Sequence, residues 1–217
     1  MGWLELLLPP ACAGCGRSGE LLCRRCLAGV AAPSRAEDRF VAADAGVVIG
    51  DAFTLAIAAF AHGGPARRAL AALKYSGASR LAPVLARSAL PALEPLLAVS
   101  GHAALVPVPV HPERLRERGY NQAWLIARAL GPMAGLPCRD LLARSRPTTK
   151  QHRLDRAARL ANLRDAFTVR PEASTIPDVV IIVDDIVTTT ATLEACASVL
   201  RQAGVRDVYG FAVAREV

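Results

Sequence analysis

The stretch Val179-Val-Ile-Ile-Val183 is an unbroken run of β-branched apolar residues, and it restricts the fold more than any other segment of the chain. Branched side chains are stiff at χ1 and suit extended backbone. Five in a row leave no polar face for water, so the run predicts a strand covered on both sides, as in the centre of a parallel sheet. The residues next in the chain narrow the expectation. Asp184 and Asp185 stand at the C-terminal end of the predicted strand, then comes a hydroxyl-rich turn, Thr188-Thr189-Thr190. A helix is expected from about Ala191 to Ala203, ended by Gly204 at its C′ position. A turn that opens a helix presents unpaired N–H groups and the positive end of the helix dipole, a natural seat for phosphate. Carboxylates at a strand tip accept hydrogen bonds from vicinal sugar hydroxyls, and open α/β sheets bind ligands in the crevice at their strand C-termini. Phosphate plus diol describes a ribose 5-phosphate. The plainer alternative is a solvated Asp pair followed by an ordinary Thr cap.

The remaining segments fit the same class. Residues 46–61 read as two strands or one hairpin at the edge of the sheet, and residues 65–74 as a helix with Pro65 in its first turn. A second helix is expected over residues 80–97, bent near Pro91 or Pro95. Ala104-Leu105-Val106 reads as a short buried strand. Residues 120–130 have helical spacing, with Trp124, Ile126, Ala127 and Leu130 on the apolar side. Residues 139–143 are a further candidate strand, and residues 208–213 supply a last one. Strands alternating with helices predict an α/β layered domain. Hydrophobic residues make up 53% of the 217 and aromatics only 5%, so small and branched apolar side chains must carry the packing. Residues 33–44 are polar and read as a linker. Residues 144–164 are crowded with Arg, Thr, Gln and Asn, which bury little, and read as a mobile excursion or a surface hairpin. No segment is expected to reach the roughly 18 apolar residues of a membrane span. Met1–Pro10 lacks a basic n-region and carries Glu5, so residues 3–8 are taken as a short helical lead-in and the expected location is cytoplasmic.

Four cysteines lie within fifteen residues as two C-x-x-C pairs, Cys12/Cys15 and Cys23/Cys26, with Gly14 and Gly16 loosening the first turn. Each spacing lets a tight turn aim two thiolates at one ion, and two such knuckles complete a tetrahedral Cys₄ site for structural Zn²⁺. Two other readings compete. Disulfides call for an oxidising compartment, and a redox C-x-x-C normally stands alone at a helix start. Cys138 and Cys196 sit in apolar surroundings and read as core residues. The four histidines form no ligand spacing and are given no role. The organisation expected is a cysteine knuckle with its lead-in over residues 1–35, then the α/β domain over residues 36–217.

The run from Val180 to Leu193 resembles the 5-phosphoribosyl-1-pyrophosphate (PRPP) signature of type I phosphoribosyltransferases, two acids followed by a Thr/Ser-rich turn. Beyond it, Val106-Pro-Val-Pro-Val-His-Pro112, Arg114-Leu-Arg116-Glu-Arg118-Gly119-Tyr120-Asn121-Gln122, Ala72-Leu73-Lys74-Tyr75, Arg146-Pro-Thr148 with Gln151, and the paired cysteines together resemble the ComF competence family. That resemblance implies a type I phosphoribosyltransferase-like parallel sheet flanked by helices, a hood, and a flexible loop at residues 144–164. It implies that Asp184 and Asp185 hold the ribose hydroxyls, that Thr188, Thr189, Thr190, Ala191 and Thr192 wrap the 5′-phosphate, and that Mg²⁺ accompanies PRPP. The acceptor base is unmarked. Thr190 stands where the signature has Gly, so the expectation of turnover hinges on the backbone there. A loop needing positive φ would strain a β-branched residue.

The net charge of +7 is carried mostly by Arg, whose fork binds phosphate bidentately. Arg114, Arg116, Arg118 and Lys74 are candidates for holding the leaving pyrophosphate, against the alternative of a solvated basic helix entrance. The same arginines, with Arg144, Arg146, Lys150, Arg153, Arg156 and Arg159, carry a second expectation: a single-stranded DNA backbone, in keeping with the DNA uptake associated with ComF-like proteins. Apart from Tyr120 and Trp124, few aromatics lie near enough to stack bases.

Overall fold

The computed structural model describes residues 9–31, 47–144, 166–173 and 175–216. In chain order its elements are α1 (Arg24–Ala31), β1 (Val47–Val48), β2 (Ala56–Ala61), α2 (Gly64–Tyr75), α3 (Leu81–Ser100), β3 (Ala104–Pro107), α4 (Pro112–Arg118), α5 (Gln122–Ala134), β4 (Leu142–Arg144), β5 (Phe167–Val169), β6 (Val179–Val187), α6 (Ala191–Gln202) and β7 (Asp207–Arg215). The main sheet runs β1-β2-β7-β6-β3, with β2, β7, β6 and β3 parallel and β1 antiparallel at the edge. A second, two-stranded antiparallel sheet pairs β4 with β5.

The branched run lies, as expected, inside the sheet, between β7 and β3. Ile181 and Val183 point to the face covered by α2, α3 and α5, while Val180 and Ile182 point to the face covered by α6 and the β4–β5 pair. All four are fully shielded from solvent, and burial of each contributes about 1.5–3 kcal/mol. This is the helix-covered parallel sheet the sequence predicts. The edge hairpin, the helix at 65–74, the strand at 104–106, the last strand and the Gly204 stop (φ 101°) are also present.

Several details differ. The strand does not end at Val183: β7 continues beside it, pairing Asp184 with Ala212 and Val187 with Arg215, so both acids lie within β6. The helix expected to bend at Pro91 or Pro95 runs unbroken from Leu81 to Ser100. Both prolines lie on its solvent face, where carbonyls left unpaired by a missing N–H can meet water. By length and composition this helix could cross a membrane, contrary to the expectation that no segment would, because its scattered Pro, Ser, Arg and Glu leave the average hydropathy high. Here Leu81, Leu85, Ala89, Leu93 and Leu96 are buried in the core, and the helix packs on β2, β7 and α5. Trp124 is only half-buried, and Ala123 takes the inward position beside Ile126, Ala127 and Leu130. Cys196 is a core residue, but Cys138 is half-exposed, continuing the sheet edge next to Leu105. The strand sought at 139–143 is Leu142–Arg144.

Arg144 pairs with Phe167 across β4–β5, so the Arg-rich excursion leaves and returns at paired strands. Its interior, with Arg146, Thr148, Lys150, Gln151, Arg153, Arg156 and Arg159, lies outside the described residues, as do the linker at 33–44 and the lead-in at 3–8.

Candidate functional site

Side chains alternate across a strand, and that rule separates the two acids. Asp185 shares the face of Ile181 and Val183. There the Lys74 ammonium, at the C-terminal end of α2, lies 2.7 Å from its Oδ2, and Gln122 Nε2, at the start of α5, donates to its Oδ1 at 3.3 Å. Arg118 donates in turn to Gln122 Oε1, and its guanidinium stands 5.6 Å from the ring centre of Tyr75. A closed circuit results, from Lys74 through Asp185, Gln122 and Arg118 to Tyr75, the residue after Lys74. Tyr120 O–H donates to the Leu73 carbonyl at 2.6 Å and fixes the end of α2. Asn121 caps α5 by accepting from Ala123 N–H, and its own amide donates to the Val108 carbonyl, tying α5 to the end of β3.

Asp184 faces the other side, toward Cys196 on α6 and Arg144 on β4, and both feel its charge. The Arg144 guanidinium lies 5.3 Å from the Phe167 ring centre. Burial, followed by the neighbouring Asp185 charge, pushes the Asp184 carboxyl well above the ordinary carboxylate range, with Lys74 opposing. The two acids stay in contact through their backbone, because Asp185 N–H donates to Asp184 Oδ1 at 2.8 Å. Asp184 is 9% exposed and Asp185 2%.

Beyond Val187 the chain turns through Thr188 and Thr189 into α6. Thr190 occupies the N-cap position with φ −69° and ψ −7°, which any L-residue adopts without strain. Its carbonyl accepts the first helical bond from Glu194 N–H, but its hydroxyl caps nothing. Glu194, the acid in the first turn, is turned away: its carboxylate accepts from Asp51 N–H and Ala52 N–H, both at 2.8 Å, in the β1–β2 loop. Neither side chain that ordinarily caps a helix start is spent here, so the first amides of α6 still face the turn.

The cysteines form a second centre. The sulfurs of Cys12, Cys15, Cys23 and Cys26 all lie within 4.8 Å of one another, with Cys15 and Cys23 Sγ 3.7 Å apart. A tetrahedral zinc with bonds of about 2.3 Å needs sulfur–sulfur edges of about 3.8 Å, so the four thiols fit that ion. Among the described residues no cysteine forms a disulfide. Burial raises the Cys12 thiol, but the N–H groups of Cys23, Gly14 and Cys15 outweigh it and bring it down to about 6. Burial and the neighbouring thiols push Cys26 up to about 12. Four crowded sulfurs cannot all ionise unaided, and a divalent cation resolves that conflict. Gly16 has the positive φ (77°) that its turn requires, whereas Gly14 is needed for space: a Cβ there would sit 2.6 Å from Cys26 Sγ.

Competence protein F of Haemophilus influenzae is 33% identical to this chain over 114 residues, 52% of this chain and 50% of that protein. Competence protein ComFC of Streptococcus pneumoniae is 32% identical over 110 residues, 51% of this chain and 47% of its own length. The chain is a homologue of the ComF competence proteins. It also matches the DNA utilization protein YhgH of Escherichia coli O6:H1, at 34% identity over 151 residues, 66% of this chain and 64% of that protein. The chain thus spans about half the length of the competence proteins it matches. No protein-family model matches. Among solved structures, the allosteric regulatory enzyme of purine biosynthesis aligns with 77% of this chain and 34% of its own, at 16% identity and a TM-score of 0.38.

In this ComF homologue, the structure brings Lys74 directly to Asp185, and Arg118 to it through Gln122. Arg114 lies on α4, exposed, with no contact to either acid among the described residues, although it is near enough to Arg144 to oppose its charge. Thr188 is exposed, Thr189, Thr190 and Thr192 are half-buried, and Ala191 is buried. Sequence reasoning passed over Gln122 and His62 as site residues. His62 follows β2, donates its backbone N–H to the Arg215 carbonyl at 2.7 Å, and feels the charges of Lys74 and Asp185; burial, foremost, lowers its pKa. The available signal was position, since both residues stand beside a predicted element boundary. Helix α4 was also missed, because none of its residues is buried and it shows no apolar stripe.

Proposed function

We propose that this chain binds PRPP at the carboxyl edge of its parallel sheet and transfers the phosphoribosyl group to an acceptor base. The observation that carries this reading is the start of α6: its N-terminus has no side-chain cap from Thr190, and it lies next to two buried carboxylates on the adjoining strand. The 5′-phosphate would take the amides and hydroxyls of Thr188–Thr192, where the helix dipole favours an anion. Asp184 and Asp185 would accept from the ribose 2- and 3-hydroxyls. Lys74 and Arg118, already poised around Asp185, would face the pyrophosphate, and Arg114 lies on the same arginine-bearing α4. Mg²⁺ bound with the pyrophosphate would offset charge on the leaving group. The chain's own share is positioning and charge: acids hold the sugar while cations stabilise the negative charge that grows on the pyrophosphate as the C1 bond breaks.

Calorimetric titration of the zinc-loaded protein with PRPP and Mg²⁺ tests the reading. Micromolar binding that requires both is expected, and no heat from a folded protein sinks it. The backbone at Thr190 gives a sharper check. Because φ is already negative there, Thr190→Gly should change PRPP affinity by less than about threefold, with a loss of order 0.5–1 kcal/mol in stability from the added backbone freedom. A gain of tenfold or more would mean that the Thr side chain obstructs the loop.

One observation favours a second reading. Helix α4 buries nothing, carries Arg114, Arg116 and Arg118, and stands beside Tyr75, which is 72% exposed. A single-stranded DNA backbone could lie along it with a base on Tyr75, in keeping with the competence and DNA-utilization names of the relatives. Such binding would fall steeply with salt and be unchanged by Asp185→Asn, whereas PRPP binding would be strongly weakened by it.

A further inference from the structure

We infer that Arg68 is a positioning residue through which the cysteine knuckle sets the placement of Lys74 against Asp185. The geometry rests on α2, whose two ends serve different centres. At its N-terminal half, Pro65 packs where a Cβ on Gly29 would come within 3.1 Å of it, and Arg68 Nε donates to the Gly14 carbonyl inside the first C-x-x-C turn. At its C-terminal end, Lys74 pairs with Asp185, Leu73 is held by Tyr120, and Tyr75 meets Arg118. Arg68 and Lys74 are six residues apart, about 9 Å along one rigid helix.

The packing makes this link consequential. The buried residues of α2, Ala66, Ala69, Leu70 and Leu73, belong to the same apolar cluster as Cys12, Leu22, Cys23 and Cys26. The helix lies against α1 of the knuckle and against α3. A metal that clamps Cys12 and Cys15 fixes the turn between them, and with it the Gly14 carbonyl. Without that clamp the turn keeps its backbone bonds, Cys15 N–H and Gly16 N–H on the Cys12 carbonyl, Cys12 N–H on the Arg17 carbonyl and Ala13 N–H on the Leu21 carbonyl, none of which holds the Gly14 carbonyl itself. The Arg68 anchor then loosens, and the helix that delivers Lys74 loses part of its support.

The inference about ligand coupling depends on the proposed PRPP site, so two measurements are paired. Hydrogen exchange on the full zinc-loaded protein compares wild type with Arg68→Met, which keeps the stem and removes the donor. Amides from Leu70 to Tyr75 should exchange about tenfold faster in the variant, with those of β6 unchanged; unaltered exchange in α2 overturns the inference. Zinc affinity, read by competition with a chromogenic chelator, is then compared with and without saturating PRPP and Mg²⁺. Linkage requires each ligand to change the other's affinity by one factor, expected to be on the order of fivefold in wild type and absent in Arg68→Met. A zinc affinity indifferent to PRPP, in a protein that calorimetry shows to bind it, overturns the coupling. If calorimetry detects no PRPP binding, the proposed function falls, and the exchange result alone decides the role of Arg68.

Discussion

Asp185→Asn is expected to weaken PRPP binding by about 30-fold or more and to destabilise the protein, whereas Asp184→Asn should stabilise it. The asymmetry follows from the pleat, which turns the two acids to opposite faces. Asp185 has matched partners, Lys74 at 2.7 Å and Gln122 at 3.3 Å. Neutralising it leaves the Lys74 ammonium, itself mostly buried, without its counter-ion, and charge-assisted bonds to a ligand hydroxyl are worth about 1.5–3 kcal/mol each. Asp184 sits where burial disfavours its charge and the Asp185 carboxylate repels it. Its folded pKa is therefore raised above the unfolded value. As pH climbs from the ordinary carboxylate range, the unfolded chain ionises first and the wild type loses stability until the raised folded pKa is passed. The stability gain of Asp184→Asn should be near zero in acid and grow through that window. Denaturant melts of both variants from acid to neutral pH, beside calorimetry with PRPP and Mg²⁺, check the pair. Equal behaviour of the two variants would contradict the division of faces. For wild type, PRPP affinity should rise with pH as Asp184 ionises, since hydroxyl donors favour the charged acid.

Gly14→Ala is expected to abolish zinc retention and lower the melting temperature by about 10 °C or more, an effect as large as that of Cys26→Ser. The added methyl would lie 2.6 Å from Cys26 Sγ and 2.7 Å from its Cβ, distances no side chain tolerates, and Cys26, as one of the four proposed zinc ligands, could not retreat without opening the tetrahedron. Loss of the metal releases Cys12, Cys23 and Cys26 from the main apolar cluster. A loss of about 3–5 kcal/mol corresponds to roughly 10 °C or more in a chain of this size. Metal analysis by mass spectrometry and thermal melts in the presence and absence of chelator check it. Full zinc occupancy in Gly14→Ala would mean that the knuckle adopts another geometry.

The parts legible in the sequence share one physical property: their signals are local. The branched run could only be a buried strand, Gly204 could only stop a helix of that pattern, and two C-x-x-C turns bring four thiolates within reach of one ion wherever the surrounding chain goes. The Thr-rich turn beside two acids was visible for the same reason, whereas its lack of a side-chain cap was not. What tertiary structure decided was direction and partnership. Whether β6 ended at Val183 or ran to Val187 depended on β7 lying alongside, and that extension sends Asp185 to Lys74 and Asp184 toward Arg144. The concern over Thr190 was likewise a question of backbone angle, set by how the turn meets α6 rather than by residue type. His62 and Arg68 carry no motif of their own, and Gln122 lies in a ComF-like block that does not mark its tie to Asp185. Their roles arise because a parallel sheet gathers distant segments at one edge and because α2 bridges that edge to the knuckle, relations that sequence spacing does not encode.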